Sequence, residues 1–204
     1  MRLVDPLATR RRAFVLVLGL LLLVGSGCSD DDDVTDPDGD TFSVELHYDA
    51  PNDSSPNLAG ATYEAAARFT TVQTGGIAGG VLTEVRFYID TLPTSCRVKI
   101  YGANTATVPG ALLYTSPDVT AGLVADGWNT HVLTSGVTVP NGDLWISIEF
   151  THAGLQATIG CDPGPAVPDG DWLFSSTDGN WTPFNDRFAV SVNWNIRGIV
   201  RITL

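Results

Sequence analysis

Leu82-Thr-Glu-Val-Arg-Phe-Tyr-Ile89 sets apolar side chains at Val85, Phe87 and Ile89, with Glu84, Arg86 and Tyr88 between them. That period of two belongs to an antiparallel strand with one face on a core and the other toward solvent. The same alternation recurs in Arg97 to Tyr101, with Val98 and Ile100 inward and Arg97, Lys99 and Tyr101 outward. In Leu144 to Phe150, Leu144, Ile146, Ile148 and Phe150 alternate with Trp145, Ser147 and Glu149. The run Ile196 to Leu204 sets Ile196, Val200, Ile202 and Leu204 against Arg197 and Arg201, regular enough to predict pairing inside a sheet. Weaker strand signals cover Ser43 to Tyr48, Tyr63 to Thr70, Ala111 to Thr115, Asn129 to Leu133, Leu155 to Cys161 and Asp171 to Ser175.

Turn chemistry separates these runs: Pro51-Asn-Asp53, Gly79-Gly80, Pro109-Gly110, Asn141-Gly-Asp143 and Asp178-Gly-Asn180. About ten short strands punctuated in this way predict an all-β, two-sheet antiparallel β-sandwich. Only Glu64-Ala-Ala-Ala-Arg68 invites a helix, through the propensity of its alanines. The run is short and continues into Phe69-Thr-Thr-Val72, which favours a strand. Residues 41–204 are long enough for one domain with a sizeable core.

The first 33 residues have a different character. Arg10, Arg11 and Arg12 precede the apolar stretch Ala13 to Gly25, which is too short to span a bilayer. Gly25-Ser-Gly27 then leads to Cys28. A basic start, a short apolar segment and small residues make a secretory signal over residues 1–27. With Cys28 at the first mature position, the segment resembles a bacterial lipoprotein signal, although Gly25 stands where a leucine is usual. The resemblance implies lipidation of Cys28 and attachment to the membrane through that lipid. An ordinary signal peptide or an N-terminal anchor is the plainer alternative. Residues 28–40 form an acidic tether, and Ser29-Asp-Asp-Asp-Asp33 resembles the export signal that carries lipoproteins to the outer face of the outer membrane in Bacteroidetes-type bacteria. A solvated acidic spacer would read the same way.

Charge narrows the partners. From residue 28 onward, 7 basic residues face 22 acidic ones, a net −15, and seven of the acids lie in the tether. Residues 41–204 keep 7 basic and 15 acidic residues, a net −8, and Lys99 is the only lysine of the chain. Such a domain repels nucleic acid, which is set aside as a partner.

The segment order carries a family resemblance. Leu46-His-Tyr-Asp49, the stretch Tyr63 to Phe69, Leu82 to Ile89, Val98-Lys-Ile-Tyr-Gly102, Pro109-Gly-Ala-Leu-Leu-Tyr114, Gly127-Trp-Asn129 and Gly142-Asp-Leu-Trp-Ile146 follow one another along the chain. Together they resemble the jelly-roll, cleaved-adhesin-like domains of secreted and surface proteins in Bacteroidetes and related phyla. The resemblance covers most of residues 42–204 and implies a jelly roll at the cell surface. Its pieces are strand and turn signatures rather than catalytic motifs.

Candidate chemistry is sparse. His47, His131 and His152 are far apart, without metal-ligand spacing, and no serine or cysteine sits in a nucleophile motif. Glu84 and Glu149 occupy outward strand positions and would have to supply the two carboxylates of a glycan-active enzyme. Of the five tryptophans, Trp128 and Trp172 fall at turn-to-strand positions and are expected to pack. Trp145, Trp181 and Trp194 are the candidates for an exposed ligand platform. Asp162, Asp169 and Asp171 crowd one Gly- and Pro-rich loop, where a structural calcium competes with plain turn chemistry. Cys96 and Cys161 are an even pair in an oxidising compartment and are expected to form a disulfide. The expectation is a lipid-anchored, non-catalytic module for binding or adhesion, with a glycan or a surface protein as partner. A structural subunit of a surface assembly without a small ligand is the alternative. An exposed coplanar aromatic pair in a groove would favour the first, and a bare edge strand or a large apolar patch the second.

Overall fold

The structure, a computed structural model, describes residues 40–204; Cys28 and most of the tether lie outside the described residues. The strands are β1 (Thr41–Leu46), β2 (Asn57–Leu58), β3 (Ala61–Phe69), β4 (Val81–Ile89), β5 (Ser95–Tyr101), β6 (Leu112–Thr115), β7 (Gly127–Thr138), β8 (Leu144–His152), β9 (Gln156–Ala157), β10 (Trp172–Ser175), β11 (Asn180–Pro183) and β12 (Ile196–Thr203). Two short helices, α1 (Thr71–Thr74) and α2 (Phe184–Phe188), complete the main elements.

One sheet has the order β1-β12-β4-β7 and the other β11-β10-β3-β8-β5-β6, while β2 and β9 form a small separate pair. Taken in chain order, the eight principal strands (β1, β3, β4, β5, β6, β7, β8, β12) lie as 1-8-3-6 in one sheet and 2-7-4-5 in the other. That is the strand order of a jelly roll, an antiparallel sandwich of two Greek keys. The alternation in the sequence sets the inner faces. Val85, Phe87 and Ile89 of β4 face Val98 and Ile100 of β5 and Leu144, Ile146, Ile148 and Phe150 of β8 in one buried core. The final strand lies between β1 and β4, as its regularity predicts.

Glu64 to Arg68 is strand, paired with both β8 and β10. Its alanines are small for a packing reason. Ala65 and Ala67 enter the main core, whereas Ala66 faces the other way under Trp145 and Trp172. A second apolar cluster therefore covers one end of the outer face of the six-stranded sheet, joined by Tyr101 and Trp181. Outward-pointing side chains there are not exposed.

The expected disulfide is not formed. Cys96 and Cys161 are free, buried thiols. Cys96 sits opposite Phe150 on β8, whereas Cys161 bridges Ser54 and Trp194 outside the main strands, with its Sγ 3.4 Å from Ser54 Oγ. Each thiol is enclosed by its own neighbours. Burial pushes the Cys96 thiol up to about 12, so it is inert at neutral pH.

Candidate contact surface around Trp128

The tryptophans are distributed differently from the sequence-based expectation. Trp145 lies on the outward face of β8 yet is fully buried in the second cluster, 5.2 Å from the Trp172 ring and 5.6 Å from the Trp181 ring. Trp194 is fully buried against Phe184, and its indole N–H donates to the Trp172 carbonyl at 2.9 Å. Trp181 is half-buried against Phe174. Trp172 packs as expected. The exposed one is Trp128, 41% accessible at the start of β7. Neither Trp145 nor Trp194 is a platform, because the neighbouring aromatic rings and the main core cover them.

Trp128 is held by neighbours on two other strands, β4 and β12. Tyr88, its register partner on β4, meets it edge to face at 6.0 Å. The Tyr88 hydroxyl donates to Asp126 Oδ1 at 2.6 Å; this bond, with some burial, pushes the phenol up to about 12. Asp126 itself adopts a left-handed backbone, φ 50°, which turns the chain into β7. On the ring face, the Arg197 guanidinium of β12 stacks 4.5 Å from the centroid. Arg197 is fixed in turn by a fork of hydrogen bonds to the buried Asp49, at 2.8–3.1 Å. The ring is therefore pre-oriented, with one face covered and the other available.

Two clefts meet at this ring. The smaller, of about 350 Å³, lies on the outer face of the four-stranded sheet and is lined by Glu45, Arg86, Trp128, Thr130 and Arg197. It offers donors and an acceptor beside an aromatic ring. The larger, of about 510 Å³, lies between β7 and the segment 118–124. Its walls include Phe87, Leu123, Val124 and Trp128, with Asp118, Thr130 and His131 as the polar groups. Arg197 lines only the smaller cleft, so the free face of Trp128 serves the larger one. Asn129 anchors the far wall by accepting from the Val124 N–H and donating to the Val124 carbonyl. His131 contacts the Tyr114 hydroxyl at 2.8 Å, and burial holds its imidazole below the usual value, hence neutral. Apolar walls with a few fixed polar groups are the ordinary build of a binding cleft.

The other sequence candidates do not gather. Glu84 lies on β4 and Glu149 on β8, in different sheets, so they cannot flank one bond. Glu149 instead lies opposite Glu64, whose role the alanine run around it conceals in the sequence. Lys99 Nζ donates to Glu64 Oε1 at 2.7 Å and to Glu149 Oε2, while Ser147 and Tyr101 both donate to Glu64 Oε2. Burial alone would lower the Lys99 ammonium, but its bonds to the two carboxylates carry it above its ordinary value. The network is internally satisfied and locks the outer face of the six-stranded sheet. The histidines stay apart: His47 Nδ1 contacts the Asp49 carbonyl, and His152 clusters with the Tyr63 and Phe150 rings, which also touch each other.

The three loop aspartates have separate duties. Asp162 accepts from the backbone N–H groups of Ala50, Gly164 and Asn193. Asp169 pairs with Arg68 and accepts from the Trp172 indole. Asp171 accepts from the Asn185 N–H. Among the described residues, no group of three or more His, Cys, Asp or Glu side chains is arranged to hold a metal ion.

No family model matches the chain, and no curated protein matches it. Its fold is similar to that of the clostridial cysteine protease Cwp84 after propeptide cleavage, with a TM-score of 0.54, 15% identity, and coverage of 82% of this chain and 41% of that one. It is also similar to the structure of the cysteine protease and lectin-like domains of Cwp84, a surface layer associated protein of Clostridium difficile. There the TM-score is 0.51, the identity 14%, and the coverage 72% of this chain and 34% of that one. The chain thus spans less than half the length of either structure, and the likeness is one of fold.

Proposed function

We propose that this chain is a non-catalytic contact module, anchored by lipid at Cys28 on the outside of the outer membrane, with the corner around Trp128 as its contact surface. The observation that carries this reading is Trp128: the exposed tryptophan is pre-oriented by Arg197 and Tyr88 and stands where two clefts meet. An aromatic face edged by the hydroxyl of Thr130, the imidazole of His131 and the carboxylate of Asp118 suits a sugar ring, whose C–H face stacks and whose hydroxyls both donate and accept. The lectin-like domain named for Cwp84 is in keeping with a glycan ligand. A non-enzymatic role is supported by the separation of Glu84 from Glu149 and by the satisfied partners of Glu149. A second reading, a structural subunit without a small ligand, is favoured by the bare edge of β7. Probing the protein on a glycan array tests the first reading: retention lost in Trp128→Ala and kept in Trp181→Ala supports it. Retention unchanged in Trp128→Ala overturns it. For the anchor, Cys28→Ser is expected to release the protein from the outer-membrane fraction, and an unchanged fraction contradicts it.

A further inference from the structure

We infer that the open edge of β7 pairs with the same edge of a second copy of this chain, antiparallel, about a two-fold axis at Thr130. This pairing rests on the Trp128 corner being the contact surface and places a second copy along its strand edge, beside the two clefts.

The hydrogen bonds of β4 locate the free backbone groups. The Tyr88 N–H donates to the Asn195 carbonyl, and the Tyr88 carbonyl accepts from the Gly160 N–H. Both groups of Tyr88 therefore point away from β7, and Tyr88 with Trp128 is a non-hydrogen-bonded pair. The backbone groups of Trp128 must point away from β4, and the antiparallel alternation gives Thr130 and Val132 the same direction. Beyond Val132 the register slips, with Glu84 opposite Val132 but Leu82 opposite Val137, so the regular open rail is Trp128 to Val132.

This rail lacks the usual protection. Edge strands are commonly guarded by charge, proline or shortness. Here β1 carries Glu45, β11 ends in Pro183, and β6 has four residues. The regular part of β7, Trp128 to Val132, carries no Asp, Glu, Lys, Arg or Pro, the register slip lies beyond it, and the one histidine is held neutral by burial. The cleft between β7 and segment 118–124 leaves room on the inner side of the rail.

Self-pairing fits the side chains. With Thr130 opposite Thr130, Trp128 of each copy lies opposite Val132 of the other, and the three outward-facing residues form three hydrogen-bonded pairs. Trp128 and Val132 are both large apolar residues left exposed, at 41% and 63%. An aromatic residue opposite a β-branched one is a favourable cross-strand pair. The absence of charge on the strand removes like-charge repulsion at the seam, while the net −8 of each domain predicts association that strengthens as salt rises.

The test uses the full chain displayed on cells, with single cysteines introduced into β7. Residues facing each other in hydrogen-bonded pairs have Cα atoms about 5.5 Å apart, inside the range of about 4.4–6.8 Å that a disulfide spans. Thr130→Cys is expected to give a covalent dimer on a non-reducing gel after mild oxidation. Val132→Cys alone is expected to stay monomeric, because its two copies lie on the order of 13 Å apart along the strands. The double variant Trp128→Cys, Val132→Cys is expected to recover the dimer. Self-pairing is overturned if the thiol of the Thr130→Cys variant is reachable by a thiol reagent yet forms no dimer, or if Val132→Cys cross-links as well as Thr130→Cys. Trp128-dependent glycan retention by a chain that fails to cross-link would sink the self-pairing and spare the contact surface. Loss of both would sink both.

Discussion

Asp162 shows how single residues fix this molecule. Its carboxylate joins three segments distant in sequence, through the N–H groups of Ala50, Gly164 and Asn193 and the Asn193 side-chain amide. Burial works against the charged form, but these donors outweigh it and hold the carboxyl below its ordinary 3.8. The stabilisation is therefore full above about pH 4 and is lost as pH falls through the lowered folded value. Asp162→Ala is expected to cost about 3 kcal/mol in urea unfolding at pH 7, since hydrogen bonds to a charged group are worth about 1.5–3 kcal/mol each and their losses do not add. Trp145→Ala is expected to cost about 3–5 kcal/mol as a core truncation, whereas Trp128→Ala is expected to stay within about 1 kcal/mol and to act on contact. These expectations reverse the roles the sequence suggests for the two tryptophans. Periodicity in Leu144 to Phe150 correctly turns Trp145 outward, but it does not report what covers that face. The cover comes from Trp172 and Trp181, distant in sequence and brought alongside by the β10 and β11 pairings.

At the scale of elements, strands with clean alternation over five residues or more were legible: β4, β5, β8 and β12. The short pieces β2, β11, α1 and α2 were not, because two to five residues carry no period. β3 was legible only through its continuation into Phe69, since three alanines fit either state. Register and close approach lie below the resolution of patterning. Gly198 illustrates this: in the middle of β12, a Cβ would collide with Ile146 Cδ1 and lie 2.9 Å from Leu82 Cδ1. Gly198→Ala is expected to destabilise by about 1–3 kcal/mol through overpacking, read as a lower urea midpoint with an unchanged slope. Removing residues 196–204 takes away the strand that joins β1 to β4 and is expected to abolish cooperative unfolding altogether.

The domain formed by the described residues is a sandwich whose two outer faces are treated differently. One is sealed by the aromatic cluster and the Glu64–Lys99–Glu149 network, and the other is open at the Trp128 corner. The absence of a disulfide leaves the fold dependent on its core, so labelling after unfolding without reductant is expected to modify both Cys96 and Cys161. Spacing in the sequence could not reveal this, because two cysteines near strand ends do not say which ladder each joins. His131 adds a pH dependence at the open edge. Burial holds its folded value below 6.5, so its contribution is complete above about pH 6.5 and declines as pH falls through that lowered value. Hydroxyl-radical footprinting of the five tryptophans, comparing the purified chain diluted until it is monomeric with the chain displayed on intact cells, tests the contact surface whatever the partner. Trp145, Trp172 and Trp194 are expected to be protected in both states, and Trp128 to be oxidised when purified and protected on cells. Equal oxidation of Trp128 in the two states would contradict a contact surface at that corner.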